Sequence, residues 1–423
     1  MRTFKKILFI IACLSSLSLA QYNLNYFIDK AMNNSPVIKD YGNLFLINNL
    51  QKKLDIAQNS AFQVYLSSNL LFSPYFNNNG VLFTPNPSPD AIGYDAAVTN
   101  GGLYSAQINL EKNIFNGDLL DVLNTQREVQ GQSYENKTGQ EKHSLQKQVT
   151  DQYLNTLQYL QLYNLSKGVE SNLDNQLKIT GNLVEKGYAK ASDYLQLKIE
   201  IKTQAIDMDR TWQNYKSGLA QLYSLCGIND TQTVMIDTAE LTMVQPVSSS
   251  SFLTQFRLDS LNAAAQQNIF ETKYLPQVSL FFNAGLNAVE LNGIDRKFGM
   301  SAGINFSLPI LDGSQRSITR QQTQLSEETL SDYKNYLAKN ISVQKMDSEN
   351  RIASLKKNID DLNTQLVDYQ KLIDLSESQL QQGNLSMIEY LTILRNYIDM
   401  QKTNITTEIN YQLEISNYNY WNW

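Results

Sequence analysis

Asn113-Ile114-Phe115-Asn116-Gly117-Asp118 has a counterpart in Pro309-Ile310-Leu311-Asp312-Gly313-Ser314. Farther along, Gly187-Tyr188-Ala189-Lys190-Ala191-Ser192-Asp193-Tyr194-Leu195 has one in Gly383-Asn384-Leu385-Ser386-Met387-Ile388-Glu389-Tyr390-Leu391. The glycines of both pairs, 117 with 313 and 187 with 383, lie 196 residues apart. One such match could arise by chance, but two independent motifs at one offset point to duplication of a whole structural unit.

Working outward from the motifs, no proline falls from Asp118 to Lys186 or from Ser314 to Gln382, so each stretch has the length of a single helix of 69 residues. At 1.5 Å per residue such a helix is about 100 Å long. Ile201, Ala205, Met208, Trp212, Tyr215, Leu219, Leu222 and Cys226 are spaced alternately by four and three, and Ile352, Leu355, Ile359, Leu362, Leu366, Tyr369 and Ile373 by three and four. That 3.5-residue period predicts left-handed coiled-coil packing against neighbouring helices. Shorter helices over Ser192 to Cys226 (35 residues) and Ser35 to Ala61 (27) would, stacked end to end, nearly match the long one. Ile388 to Trp423 (36) and Ser251 to Tyr274 (24) offer the same in the second copy, and Ser35-Pro36 supplies a cap with proline in the first turn.

Four segments alternate with period two. They cover about 62–72 and 103–115 in the first copy and about 277–288 and 297–311 in the second. In the last, Phe298, Met300, Ala302, Ile304, Phe306 and Leu308 alternate with Gly299, Ser301, Gly303, Asn305 and Ser307. These lengths suit tilted membrane strands, yet four strands cannot close a membrane barrel, for which about eight is the minimum. An open edge in lipid leaves backbone groups unsatisfied, so several chains must pool their strands. The fold class is therefore mainly α with a membrane β-barrel, a long coiled-coil α-barrel joined to four β-strands per chain. Residues 21–226 form the first repeat, 227–250 a non-helical connector and 251–423 the second repeat, with hairpin tips near 187–193 and 383–389. Pro85, Pro87 and Pro89 mark an exposed irregular loop between the first two strands, Ser73 to Gly102.

Composition excludes much chemistry. The formal charge of -6 and the lack of a basic stripe exclude nucleic acid as a partner. With 42% hydrophobic and 18% charged residues, the 423-residue chain is neither disordered nor a bundle of membrane-spanning helices. His143 is the single histidine and Cys226 the single thiol outside the N-terminal segment, so no zinc cage, haem motif or Cys-His dyad can form within one chain. No metal or cofactor is expected. His143, in Glu141-Lys142-His143-Ser144, reads as part of a solvated helix face, and Cys226 as a small buried apolar side chain. Arg2, Lys5 and Lys6 before the apolar run Ile7 to Leu14, with Ser18-Leu19-Ala20 after it, form an export signal over residues 1–20. Two processing sites fit it, cleavage after Ala20 or lipidation at Cys13 of Ile10-Ile11-Ala12-Cys13.

From Asn34-Ser35-Pro36 through Leu275-Pro276 and Leu308-Pro309-Ile310-Leu311-Asp312-Gly313 to the two glycine-centred hairpins, the sequence resembles the TolC-like outer membrane efflux proteins. The resemblance implies a homotrimer with a twelve-stranded barrel in outer membrane lipid, continued into the periplasm as a helical tunnel. It implies a passive channel of a tripartite efflux or type I secretion system rather than an enzyme, and two protein partners, a periplasmic adaptor and an inner-membrane pump of the RND or ABC type. Carried over by position, Gly187, Tyr188, Ala189, Lys190, Ala191 and Ser192, with Gly383, Asn384, Leu385, Ser386, Met387 and Ile388, would be the adaptor-contacting tips, and Asp193 and Glu389 the acids of the periplasmic entrance. Asp193 and Glu389 are also suited simply to cap the returning helices. The family's Arg and Tyr lock is replaced here by Leu380, Leu385 and Thr392, which implies closure by apolar packing. A stand-alone diffusion porin and a periplasmic coiled-coil scaffold are the alternatives; a porin would put most of its length into strands, and a scaffold has no use for four of them.

Overall fold

The computed structural model describes residues 22–72, 92, 102–230, 232–289 and 291–423. The export segment with Cys13 and Ala20, and the loop carrying Pro85, Pro87 and Pro89, lie outside the described residues. In chain order the elements are α1 (Leu24–Asn34), α2 (Pro36–Ser60), β1 (Gln63–Phe72), β2 (Gly102–Ile114), α3 (Gly117–Glu185), α4 (Ala191–Leu225), α5 (Thr254–Thr272), β3 (Gln277–Ala288), β4 (Phe298–Ser307), α6 (Gln315–Gln381) and α7 (Met387–Trp421). They divide into two compact units that do not follow the sequence copies. One takes in residues up to Tyr41, Asn136–Thr254 and Lys334–Trp423, the other Gly42–Glu135 and Gln255–Tyr333, so each draws on both copies.

The second of these units contains the sheet. Its strands run in the order β1-β2-β3-β4, all neighbours antiparallel. The register sets Leu66 opposite Ile108, Ile108 opposite Ala284, and Ala284 opposite Met300. Because side chains alternate along a strand, this register gathers Val64, Leu66, Leu70, Ile108, Leu280, Phe282, Phe298, Met300, Ile304 and Phe306 on one face, all exposed in the single chain. The opposite face takes Ser67, Asn109, Gln107, Asn283, Asn287, Ser301 and Asn305, with Asn109 Nδ2 donating to Ser67 Oγ at 2.7 Å. A side chain at Gly285 has no room, since its Cβ would stand 2.2 Å from Ala106 O across the β2–β3 pair.

The fourth strand ends at Ser307, short of the expected bound near 311. Pro309 has no N–H to offer a ladder, and Gly313 and Ser314 then turn with φ of 62° and 68°. Asp312 receives the N–H groups of Ser314 and Arg316 at 2.9 Å each, which starts α6. Before the sheet, α2 lies on the first turns of α3, where Asn48 Nδ2 donates to Arg127 O at 2.7 Å and Arg127 Nε meets Asp55 at 2.7 Å.

Among its described residues the other unit is helical apart from its connector and the turns between helices. Residues 351–373 of α6 show the coiled-coil seam plainly: Ile352, Leu355, Ile359, Leu362, Leu366, Tyr369 and Ile373 are buried or half-buried and every other residue of the stretch is exposed. The short helix α1, capped by Asn23 on Tyr26 N, inserts fully buried Phe27 among Tyr153, Leu154, Tyr215 and Leu222. Residues 227–250 hold no regular element among those described, and side chains take up their backbone groups instead. Tyr153 and Tyr223 donate to Asp237 O (2.6 Å) and Gln232 O (2.9 Å), while Gln412 and Asn419 on α7 and Asn422 just past its end accept from Leu241, Val244 and Val247. Burial raises the hydroxyl pKa of Tyr153, and raises that of Tyr223 to about 12. Cys226 is fully buried, which pushes its thiol up to about 12 and leaves it inert.

His143 is not on a solvated face. Its ring lies stacked on Trp423 (centroids 4.5 Å apart, planes at 13°) and Tyr420 (5.1 Å, 7°), with Nε2 2.9 Å from Tyr420 O. Aromatic partners from the far end of the chain, Tyr420 lying 277 residues away, half-bury a residue whose immediate neighbours are all polar.

Candidate functional site

The two hairpin tips are built alike. At the end of α3, Gly187 takes φ of 75°, its N–H reaches Val184 O (3.0 Å) and Tyr188 N reaches Leu183 O (2.8 Å). At the end of α6, Gly383 takes φ of 73°, with Gly383 N on Leu380 O (3.1 Å) and Asn384 N on Gln379 O (2.9 Å). Both are Schellman closures, in which a left-handed residue lets two N–H groups satisfy the last free carbonyls of the helix. A Cβ at either glycine would meet nothing within 4 Å, so conformation rather than space selects glycine.

Each acid begins the returning helix. Ser386 Oγ accepts from Glu389 N (3.2 Å), and Glu389 Oε2 accepts from Ser386 N (3.1 Å) and from the Ser386 hydroxyl (2.8 Å), a reciprocal capping box. Those donors, the Ser386 N–H first, hold the exposed Glu389 carboxyl below its ordinary pKa. At the other tip Lys190 N donates to Asp193 Oδ2 (3.3 Å), while the Asp193 N–H goes to Lys190 O (3.0 Å), since lysine has no acceptor to complete the box. Each acid is thus a cap and also a charge at a tip.

The tip residues divide by exposure. Gly187, Tyr188, Lys190, Ala191, Ser192, Gly383, Asn384, Ser386 and Ile388 are exposed, with Tyr188 at 80%. Ala189 and Leu385 are half-buried. Met387 is the correction: it is only 4% exposed and packs with Leu173, Leu197, Tyr390, Leu391 and Ile398, so it supports the tip and presents nothing to a partner. Leu380 and Leu385 lean on the same cluster, and Thr392 Oγ1 donates back to Ile388 O at 2.8 Å.

Above this cluster, the structure brings together residues that spacing did not single out. Glu200 on α4, 1% exposed, accepts from Nε (3.0 Å) and Nη2 (2.6 Å) of Arg395 on α7, and from Gln204 Nε2 (2.9 Å). One heptad on, Asp207 meets Lys402 Nζ at 2.5 Å. Gln158 with Thr406 (3.0 Å) and Asp151 with Ser416 (2.7 Å) continue the line between α3 and α7. The partners of the two ion pairs are each 195 residues apart, and only the heptad from 200 to 207, matched by 395 to 402, marked them in the sequence.

Among the described residues no group of three His, Cys, Asp or Glu could hold a metal, and no helix is long and apolar enough to cross a membrane.

No protein-family model and no curated protein matches this sequence. Solved structures do match its fold. The channel-forming protein CusC has a TM-score of 0.72 at 14% identity, with 95% of this chain and 92% of that one covered. The outer membrane protein VceC from Vibrio cholerae matches at 0.72 and 12% identity over 94% and 96%, and the Campylobacter jejuni CmeC outer membrane channel at 0.70 and 14% over 94% and 85%. At these identities the likeness is one of fold, extending over nearly the whole of each chain.

Proposed function

We propose that this chain is one protomer of a TolC-like outer membrane channel-tunnel, a passive duct in which three copies close a twelve-stranded barrel. The observation that carries the reading is the two-faced sheet with open ends. One face is mainly apolar and the other mainly polar, and neither the outer edge of β1 nor that of β4 has a strand partner among the described residues. Backbone groups on such edges are costly in lipid unless another copy pairs with them. Joining β4 of one copy to β1 of the next supplies the missing ladder and turns the polar face toward a lumen.

The likeness to CmeC and VceC supports the same reading, as both are outer membrane proteins of this fold. The solvent-facing tips, ending in Tyr188 and Ile388, then serve as the surface for a periplasmic adaptor, through which an inner-membrane pump of RND or ABC type supplies the energy. The duct itself catalyses nothing. A stand-alone porin fits less well, because these tips lie on helices of 69 and 67 residues that a simple pore has no need of.

Native mass measurement of the detergent-extracted protein should give three copies, and co-purification with an adaptor should depend on the tips. A membrane-inserted monomer, or a trimer that conducts ions but retains no adaptor, counts against the duct; the latter result favours the porin.

A further inference from the structure

Because the chain is duplicated at an offset of 196, each residue of α4 has a copy-related residue on α7. The two ion pairs can therefore be translated. Glu200 corresponds to Asn396 and Arg395 to Ile199; Asp207 corresponds to Thr403 and Lys402 to Ile206. The four translated residues share one property: all are exposed, Ile199 at 62% and Ile206 at 71%, and Asn396 and Thr403 likewise lie at the surface. On the flank of α4 that meets α7 of the same chain stand two acids a heptad apart, and elsewhere on the helix stand two isoleucines at that spacing.

Resting on the reading of the chain as a ring-forming duct, we infer that Ile199 and Ile206 of one copy pack against Asn396 and Thr403 of the next, in the register that the ion pairs occupy within a chain. Duplicated halves that alternate around a ring meet in two kinds of seam, α4 with α7 of the same chain and α7 with α4 of the next. The first seam is closed by Glu200–Arg395, Asp207–Lys402 and the apolar cluster around Leu197 and Met387. The second carries no ion pair at those levels. The hairpins of one chain consequently move as a clamped pair, and the entrance widens along the seams between copies. The occupant of the exposed isoleucines is a second copy rather than an adaptor helix, because the duplication supplies side chains at the right heights to meet them.

Cross-linking tests the surface and a transplanted clamp tests its consequence. In a Cys226→Ala background, Ile199→Cys with Asn396→Cys, treated with a short bis-maleimide, should give covalent dimers and trimers on a denaturing gel. Glu200→Cys with Arg395→Cys should give only monomer. Ile199→Arg with Asn396→Glu copies the Arg395–Glu200 pair into the seam between chains and should lower single-channel open probability several-fold. A trimer by native mass that yields no ladder from the 199/396 pair overturns the inference while leaving the duct intact. So do a ladder from the 200/395 pair, transfer of the cross-link to a co-expressed adaptor, or an unchanged open probability in the transplanted variant. A chain that stays monomeric in detergent overturns both.

Discussion

His143 shows how far a single side chain can depart from its sequence surroundings. Stacked between Tyr420 and Trp423, it is partly desolvated, and burial lowers its pKa below 6.5 against the opposing hydrogen bond to Tyr420 O. The folded chain then binds the proton less tightly than the unfolded chain. Its contribution to stability is full above about pH 6.5 and is lost as pH falls below that value, at about 1.36 kcal/mol for each unit of lowering. The protection factors of amides in the last turns of α7, taken relative to the intrinsic exchange rate at each pH, should fall between pH 7 and pH 5. His143→Phe keeps an aromatic plane in the stack and removes the titration, so its exchange should show little pH dependence beyond that of the chemistry itself. An equal acid response in both proteins would place the sensitivity elsewhere. Lys147, one helical turn on from His143, lies over the Tyr420 ring and is paired with Asp151 at 2.5 Å.

At the scale of elements, the helix stops are the most exacting parts. Gly187 and Gly383 pay no conformational penalty at positive φ, where a bulky residue costs about 1–2 kcal/mol. The space around each is open, so Gly187→Trp and Gly383→Trp should leave assembly intact while reducing adaptor retention about tenfold or more through bulk at the docking surface. Asparagine, which tolerates the left-handed region, is the control: Gly187→Asn should retain the adaptor, and if both variants behave alike the turns are simple connectors. Periodicity made these elements legible. The seam from Ile352 to Ile373 and the two faces of the sheet follow from spacing alone, because a helix period or a strand period repeats enough times to average out local exceptions. What spacing could not supply was anything depending on a partner far along the chain. Glu200 is one polar residue among many in sequence and gains its partner Arg395 only through the fold, Met387 falls within a tip motif although its side chain turns inward, and α1 is too short for its period to register. Alternation through Leu308 carries the expected strand past Ser307, where the missing N–H of Pro309 ends the ladder.

For the whole molecule, charge at the tips is multiplied by copy number. In the proposed trimer Asp193 and Glu389 would each occur three times, setting six carboxylates around one entrance. Asp193→Asn with Glu389→Gln keeps the hydrogen-bond acceptors that cap the helices and removes only the charge, so the fold should survive. Under a salt gradient the reversal potential of single channels should move toward zero, marking loss of cation preference; an unmoved potential would assign both acids to capping alone. The pairing of β2 with β3 imposes an order of events on the growing polypeptide. Ile108 must wait for Ala284, 176 residues later, before its ladder is complete. Closure over so long a loop is slow, and through that interval the β1–β2 ribbon presents Leu66, Leu70 and Ile108 bare to the solvent. Such a precursor, an apolar ribbon with one unpaired strand edge, is prone to aggregate until β3 arrives to cover that edge.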